Sequence, residues 1–143
     1  MKQKLATLLV ALAVTAHSGA SLAQDTRIPD LKGRWVGTSD TVMFGVTQHH
    51  SKPHAGPRLS TLQFTMTIEG QDGRRFWGTL TSSPTAKEPL VGVISYDGKT
   101  ITAQDSDGLT QGVIVDRDTM ELIYSHATSS SSVAATLHMK RQK

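Results

Sequence analysis

Cysteine is absent from all 143 residues. No disulfide can staple the chain, so a buried apolar core has to hold it together. Aromatic residues are scarce, with two Trp, two Tyr and three Phe. Charge of one sign is not concentrated anywhere, and no basic face is interleaved with aromatics, which argues against nucleic acid as a partner. After the N-terminal region no segment is apolar enough to cross a membrane. No nucleophile elbow, phosphate loop or dinucleotide fingerprint occurs, and nothing calls for a cofactor.

The first residues have the order of an export signal. Met1-Lys2-Gln3-Lys4 is basic, Leu5 to Ala16 is an apolar run too short to span a bilayer, and Ser21-Leu22-Ala23 is a small-x-small cleavage site. Residues 1–23 are therefore expected to be a signal peptide, with Gln24 opening a single domain of residues 24–143 that works in the periplasm or outside the cell. Losing Lys2 and Lys4 leaves 13 of the 15 basic residues against 12 acidic ones, so the exported chain is nearly neutral.

Beyond that point the chain alternates apolar and polar residues in short segments. Gly33 to Val46 reads as a first strand, with Gly45 marking a bulge or bend. Arg58 to Glu69 puts Leu62, Phe64, Met66 and Ile68 on one face. Arg74 to Ser82 follows a turn at Gln71-Asp72-Gly73, and Leu90 to Tyr96 follows a polar loop from Ser83 to Glu88. Asp97-Gly98 reads as a two-residue hairpin turn leading into Thr100 to Asp105. Leu109 to Asp116 and Met120 to Ala127 form a hairpin around Arg117-Asp118, and Val133 to Lys140 ends the series. Proline falls outside every expected strand. Eight neighbouring strands with short connections predict an all-β fold, an eight-stranded antiparallel up-and-down β-barrel, with a β-sandwich as the alternative.

Gly33-x-Trp35 at the start of the first strand resembles the glycine-x-tryptophan signature of the calycin barrels, the lipocalins and avidins. Phe76-Trp77-Gly78-Thr79-Leu80-Thr81 and Pro89-Leu90-Val91-Gly92 resemble the third and fourth avidin strands. The resemblance implies that Trp35 closes one barrel end beneath a basic residue of the last strand, either Lys140 or Arg141. It does not extend to biotin: Leu80 stands where avidins place a biotin-contacting Tyr, and the set of pocket tryptophans is missing.

The inward faces are expected to carry Leu62, Phe64, Met66, Leu80, Ile94, Ile101, Val113, Leu122 and Leu137, which makes a greasy lumen. Tyr124 and His126 share parity with Leu122, Tyr96 with Ile94, and Asp105 with Ala103. A mostly apolar lumen with a few convergent polar groups is the design of a ligand pocket. The expected ligand-binding set is Phe64, Met66, Leu80, Tyr96, Leu122, Tyr124 and His126, and the expected partner is a small hydrophobic or aromatic molecule. Were the chain an enzyme, Tyr124, His126 and Asp105 would carry proton transfer in a cofactor-independent isomerase, cyclase or lyase. An interaction or inhibitor module is a third reading, and a homo-oligomer is compatible with all three.

His49, His50 and His54 cluster in a Pro-bearing loop and are a weak metal candidate; a solvated loop is the plainer reading. Asp105-x-Asp107-Gly108 resembles the opening of a calcium loop but lacks its other ligands, so it reads as a turn. Arg74-Arg75 reads as a solvated rim.

Overall fold

The computed structural model describes residues 28–46, 56–83 and 86–143. The expected signal peptide and the loop of His49, His50 and His54 lie outside them. Among the described residues eight strands follow one another: β1 (Gly33–Gly45), β2 (Arg58–Asp72), β3 (Arg75–Ser83), β4 (Ala86–Ile94), β5 (Thr100–Gln104), β6 (Leu109–Asp116), β7 (Thr119–Ala127) and β8 (Ser131–Arg141). Each pairs antiparallel with the next. β8 returns to β1 in register from Trp35↔Arg141 to Gly45↔Ser131. The sheet is thus a closed up-and-down barrel, and the sandwich alternative is excluded by that last ladder.

The alternation seen in the sequence sorts the side chains as a barrel requires, one face in and one face out. One half of the lumen is packed solid. Trp35, Met66, Leu90, Ile101, Met120 and Met139 are all at most 2% exposed there. Trp35 donates its indole N–H to the Leu31 carbonyl at 2.9 Å. The Arg141 guanidinium lies 4.2 Å from the centre of the Trp35 ring. It also donates to the carbonyls of Asp30, Lys32 and Arg117 and pairs with Asp118 at 3.3 Å. Of the two basic residues expected over the tryptophan, Arg141 is the one that stacks; Lys140 reaches outward to Thr119 Oγ1 at 2.7 Å. Gln71 straps the lead-in across this end, accepting from Leu31 N–H and donating to the Pro29 carbonyl, each at 2.8 Å.

Four expectations need correction. Tyr96 does not face the lumen; it is 88% exposed. β4 stops at Ile94, and the chain turns at Ser95, so strand parity no longer governs residue 96. Val113 faces outward, because Gly112 takes the inner position on β6 and Leu122 fills the space a side chain would need there. The run Val113-Ile114-Val115 carries no alternation that would have shown this. Pro89 lies inside β4, opposite Thr79. The β4–β5 ladder begins only at Val91↔Gln104, so on that side Pro89 has no strand to bond. The Asp97-Gly98 turn is longer than two residues: Ser95 N–H bonds the Thr100 carbonyl at 2.7 Å, and only Gly98 of the pair takes a positive φ, +69°.

Candidate functional site

The half of the lumen opposite Trp35 is hollow. Because the pleat repeats every two residues, each strand end there contributes one or two inward side chains. β1 supplies Thr41 and Met43, β2 Leu62 and Phe64, β3 Leu80 and Ser82, and β8 Val133 and Ala135. β4 adds Glu88, β7 adds Tyr124 and His126, and the β5–β6 turn adds Asp105 and Asp107. The cavity holds roughly 660 Å³ of atom-free space counting its open mouth. That is within the size range of small-molecule sites in proteins.

The floor is apolar and the rim is polar. At the rim, Asp105 accepts with Oδ1 from the N–H groups of Asp107 (3.2 Å) and Gly108 (2.6 Å), closing the turn the sequence implied. Its second oxygen, Oδ2, is buried and has no hydrogen-bond partner. Asp105 is only 8% exposed. Burial pushes its carboxyl above the usual range, against the pull of the two turn amides and helped by the charge of Glu88. The carboxylates of Glu88, Asp105 and Asp107 bring oxygens within 4.8 Å of one another.

Tyr124 donates its hydroxyl to Asp107 Oδ1 at 3.1 Å. Its ring lies against Gly108, where an added Cβ would sit 2.1 Å from the ring. That contact demands glycine and sets the ring's position. Burial, then the charges of Asp105 and Asp107, push the Tyr124 phenol upward, so it stays protonated. His126 places Nδ1 2.8 Å from the Asp107 carbonyl. A carbonyl only accepts, so Nδ1 carries the proton. Nε2 sits 3.3 Å from Ser131 Oγ, which donates to it in the neutral ring. Both ring nitrogens are thereby committed to the turn and the β7–β8 connection.

Of the residues expected in the site, Phe64, Leu80, Tyr124, His126 and Asp105 line the cavity. Met66 and Leu122 point inward but belong to the packed half, at 2% and 3% exposure. Tyr96 lies outside the barrel at the Trp35 end, beneath the Arg74 guanidinium at 5.0 Å. Arg74 bonds the Ser95 carbonyl and Arg75 pairs with Asp72, so neither approaches the cavity.

Sequence reasoning missed Glu88, Asp107, Thr41, Met43, Ser82, Val133 and Ala135. Parity held the signal for Glu88, which is even-numbered like Leu90, Gly92 and Ile94. Extending the strand through Pro89 would have found it. Asp107 had no such signal, since its position depends on the closure of the Asp105–Gly108 turn.

Fold and site together define a closed eight-stranded barrel, plugged at one end by a tryptophan and hollow at the other beneath an acidic rim. No protein-family model matches the chain, and no curated protein matches it. Among solved structures, the chain is similar to the S-type phycobiliprotein lyase CPES from Guillardia theta, at 10% identity and a TM-score of 0.34, over 79% of this chain and 89% of that one. So distant a likeness carries nothing about ligand or chemistry.

Proposed function

We propose that this chain is an exported, calycin-type binding protein that holds one small hydrophobic or aromatic ligand in the hollow end of its barrel. The observation that carries the reading is the cavity itself. Met43, Leu62, Phe64, Leu80, Val133 and Ala135 face it, and polar groups converge on it from β1, β3, β4, β7 and the β5–β6 turn. Apolar walls with a few oriented polar groups are how small-molecule sites obtain both affinity and orientation. The calycin assignment is supported by Gly33-x-Trp35 opening β1 and by Arg141 of the last strand stacked on that tryptophan. Export is supported by the order of residues 1–23.

The proton-transfer alternative requires a base with a lone pair free to meet a substrate. His126 has neither nitrogen free, the Tyr124 phenol is held protonated, and the unpartnered Oδ2 of Asp105 is buried out of a substrate's reach. An interaction module would have no need of a hollow lumen. Both observations favour binding over turnover.

Native mass spectrometry of protein purified from its own host tests the proposal. The expected spectrum contains a species starting at Gln24 with one retained small molecule, released by organic solvent. A preparation that is ligand-free and takes up no member of an apolar compound panel contradicts it.

A further inference from the structure

We propose that Asp105 is a pH-sensitive latch on the hollow end: neutral, its carboxyl holds the β5–β6 turn against β7, and its ionisation as the pH rises releases that turn. The latch is a property of the turn itself and does not depend on what the cavity holds.

Three successive turns of the barrel are closed in one way, by an Asp that accepts from backbone N–H groups two or three residues on. Asp97 accepts from Lys99 and Thr100, Asp105 from Asp107 and Gly108, and Asp116 from Asp118. Such bonds favour the charged carboxylate. At Asp97 and Asp116, whose carboxyls are solvated, hydrogen bonding prevails. The Thr100 hydroxyl and the turn amides hold Asp97 low, and the Asp118 N–H holds Asp116 low. At Asp105 burial outweighs the same kind of bond, and the carboxyl is pushed up. The difference lies in Oδ2, which is shut away from solvent and has no donor. A full charge on such an oxygen is costly, and a neutral carboxyl is far less so.

Among the described residues no cation offsets this charge. Glu88 from β4 and Asp107 from the turn bring carboxylate oxygens within 4.8 Å of the Asp105 carboxyl and repel it. From β7, the Tyr124 hydroxyl is spent on Asp107 Oδ1. His126 directs Nδ1 at the Asp107 carbonyl, 3.5 Å from Asp107 Oδ2, so it is turned to Asp107 as well. No Lys or Arg of the described residues lines the cavity. Arg58 of β2 gives its Nη2–H to Met43 Sδ at 3.3 Å.

A proton on Asp105 removes the buried charge and leaves the turn closed. Ionisation makes hydration of Oδ2 the dominant demand, and water reaches it when the turn swings off the rim. That movement breaks the bonds of Oδ1 to Asp107 and Gly108. It also draws Gly108 away from the Tyr124 ring and the Asp107 carbonyl away from His126. The turn and two lining residues of β7 are therefore released together.

The test is a pH titration of the side-chain carboxyl carbons of the labelled full chain by NMR, with Asp105→Asn identifying the Asp105 signal. Asp105 should titrate above the ordinary 3.8. The amide signals of Asp107 and Gly108 should move with the same midpoint and lose hydrogen-exchange protection above it. Glu88→Gln should bring the midpoint down, since one repelling charge is gone. Urea unfolding over the same range supplies the sign. A carboxyl whose folded value is raised contributes stability below 3.8 that is lost as the pH rises through the folded value. The native chain should thus weaken relative to Asp105→Asn as the pH rises. At neutral pH the variant should be the more stable, because its amide keeps the Oδ1 acceptor and puts N–H donors where Oδ2 has none. The native-chain titration decides the matter even if the variant folds poorly. An Asp105 midpoint at or below 3.8 would overturn the proposal. So would a raised midpoint at which the Asp107 and Gly108 amides neither shift nor lose protection, or a stability gap to Asp105→Asn that stays constant with pH.

Discussion

Arg141 shows how much a single side chain joins at the closed end. Its guanidinium covers the Trp35 ring and donates to three backbone carbonyls drawn from the lead-in and the β6–β7 turn. Lysine has the charge but not the planar fork, so Arg141→Lys should destabilise the barrel by about 1–2 kcal/mol through lost hydrogen bonds and stacking. Urea unfolding of the two chains measures this; identical midpoints would show that the plug is held by packing alone. Asp97 makes a pH-dependent contribution at the same end. Its Oδ1 accepts from the N–H groups of Lys99 and Thr100, both at 2.8 Å, and its Oδ2 accepts from the Thr100 hydroxyl. These bonds, the Thr100 hydroxyl first, lower its pKa from the ordinary 3.8 to about 2. A carboxyl with a depressed folded-state value contributes stability that is present above 3.8 and lost as the pH falls through about 2. The stability gap between the native chain and Asp97→Ala should therefore narrow between pH 4 and pH 2 in parallel denaturation curves. A gap of constant size would contradict the assignment.

Among the elements, the β4–β5 pair is the weak seam. Its ladder has only the four pairs from Val91↔Gln104 to Ile94↔Ile101, whereas β1 and β8 pair over their whole shared length. Local opening costs least where few ladder bonds must break. Amides of β5 should exchange with solvent faster than those of β1 and β8, and hydrogen-exchange mass spectrometry would show it; uniform protection round the barrel would refute it. The same elements show what the sequence made legible. β2 and β7 carry clean alternation, so Leu62, Phe64, Leu122 and Tyr124 could be assigned to the inner face from sequence alone. Tyr96 could not, because the place where β4 ends is set by turn hydrogen bonds from Ser95 and not by hydropathy. Glu88 was hidden by Pro89, a residue tolerated only because the neighbouring ladder stops short of it. The acidic rim was likewise illegible: Glu88 and Asp105 come from segments that only barrel closure brings together.

At the scale of the whole molecule, one closed sheet does two different things along its axis. Large side chains and the Trp35–Arg141 stack fill one half, and the other half is left open by smaller inward residues such as Thr41, Ser82, Val133 and Ala135. The filled half gives the barrel a disulfide-free core, and that rigid wall frees the other half from having to pack against itself. The outer surface carries Trp77 beside its cross-strand partner Val91, both substantially exposed, and this is the competing place for an apolar probe to settle. The two locations separate cleanly by NMR. Titration of the isotopically labelled chain with indole should give saturable shifts confined to Leu62, Phe64, Leu80, Tyr124, Val133 and Ala135. Leu80→Trp, which fills the hollow with protein, should abolish them. Shifts that centre on Trp77 and Val91, or that persist unchanged in Leu80→Trp, would contradict the account of the hollow end as the binding site.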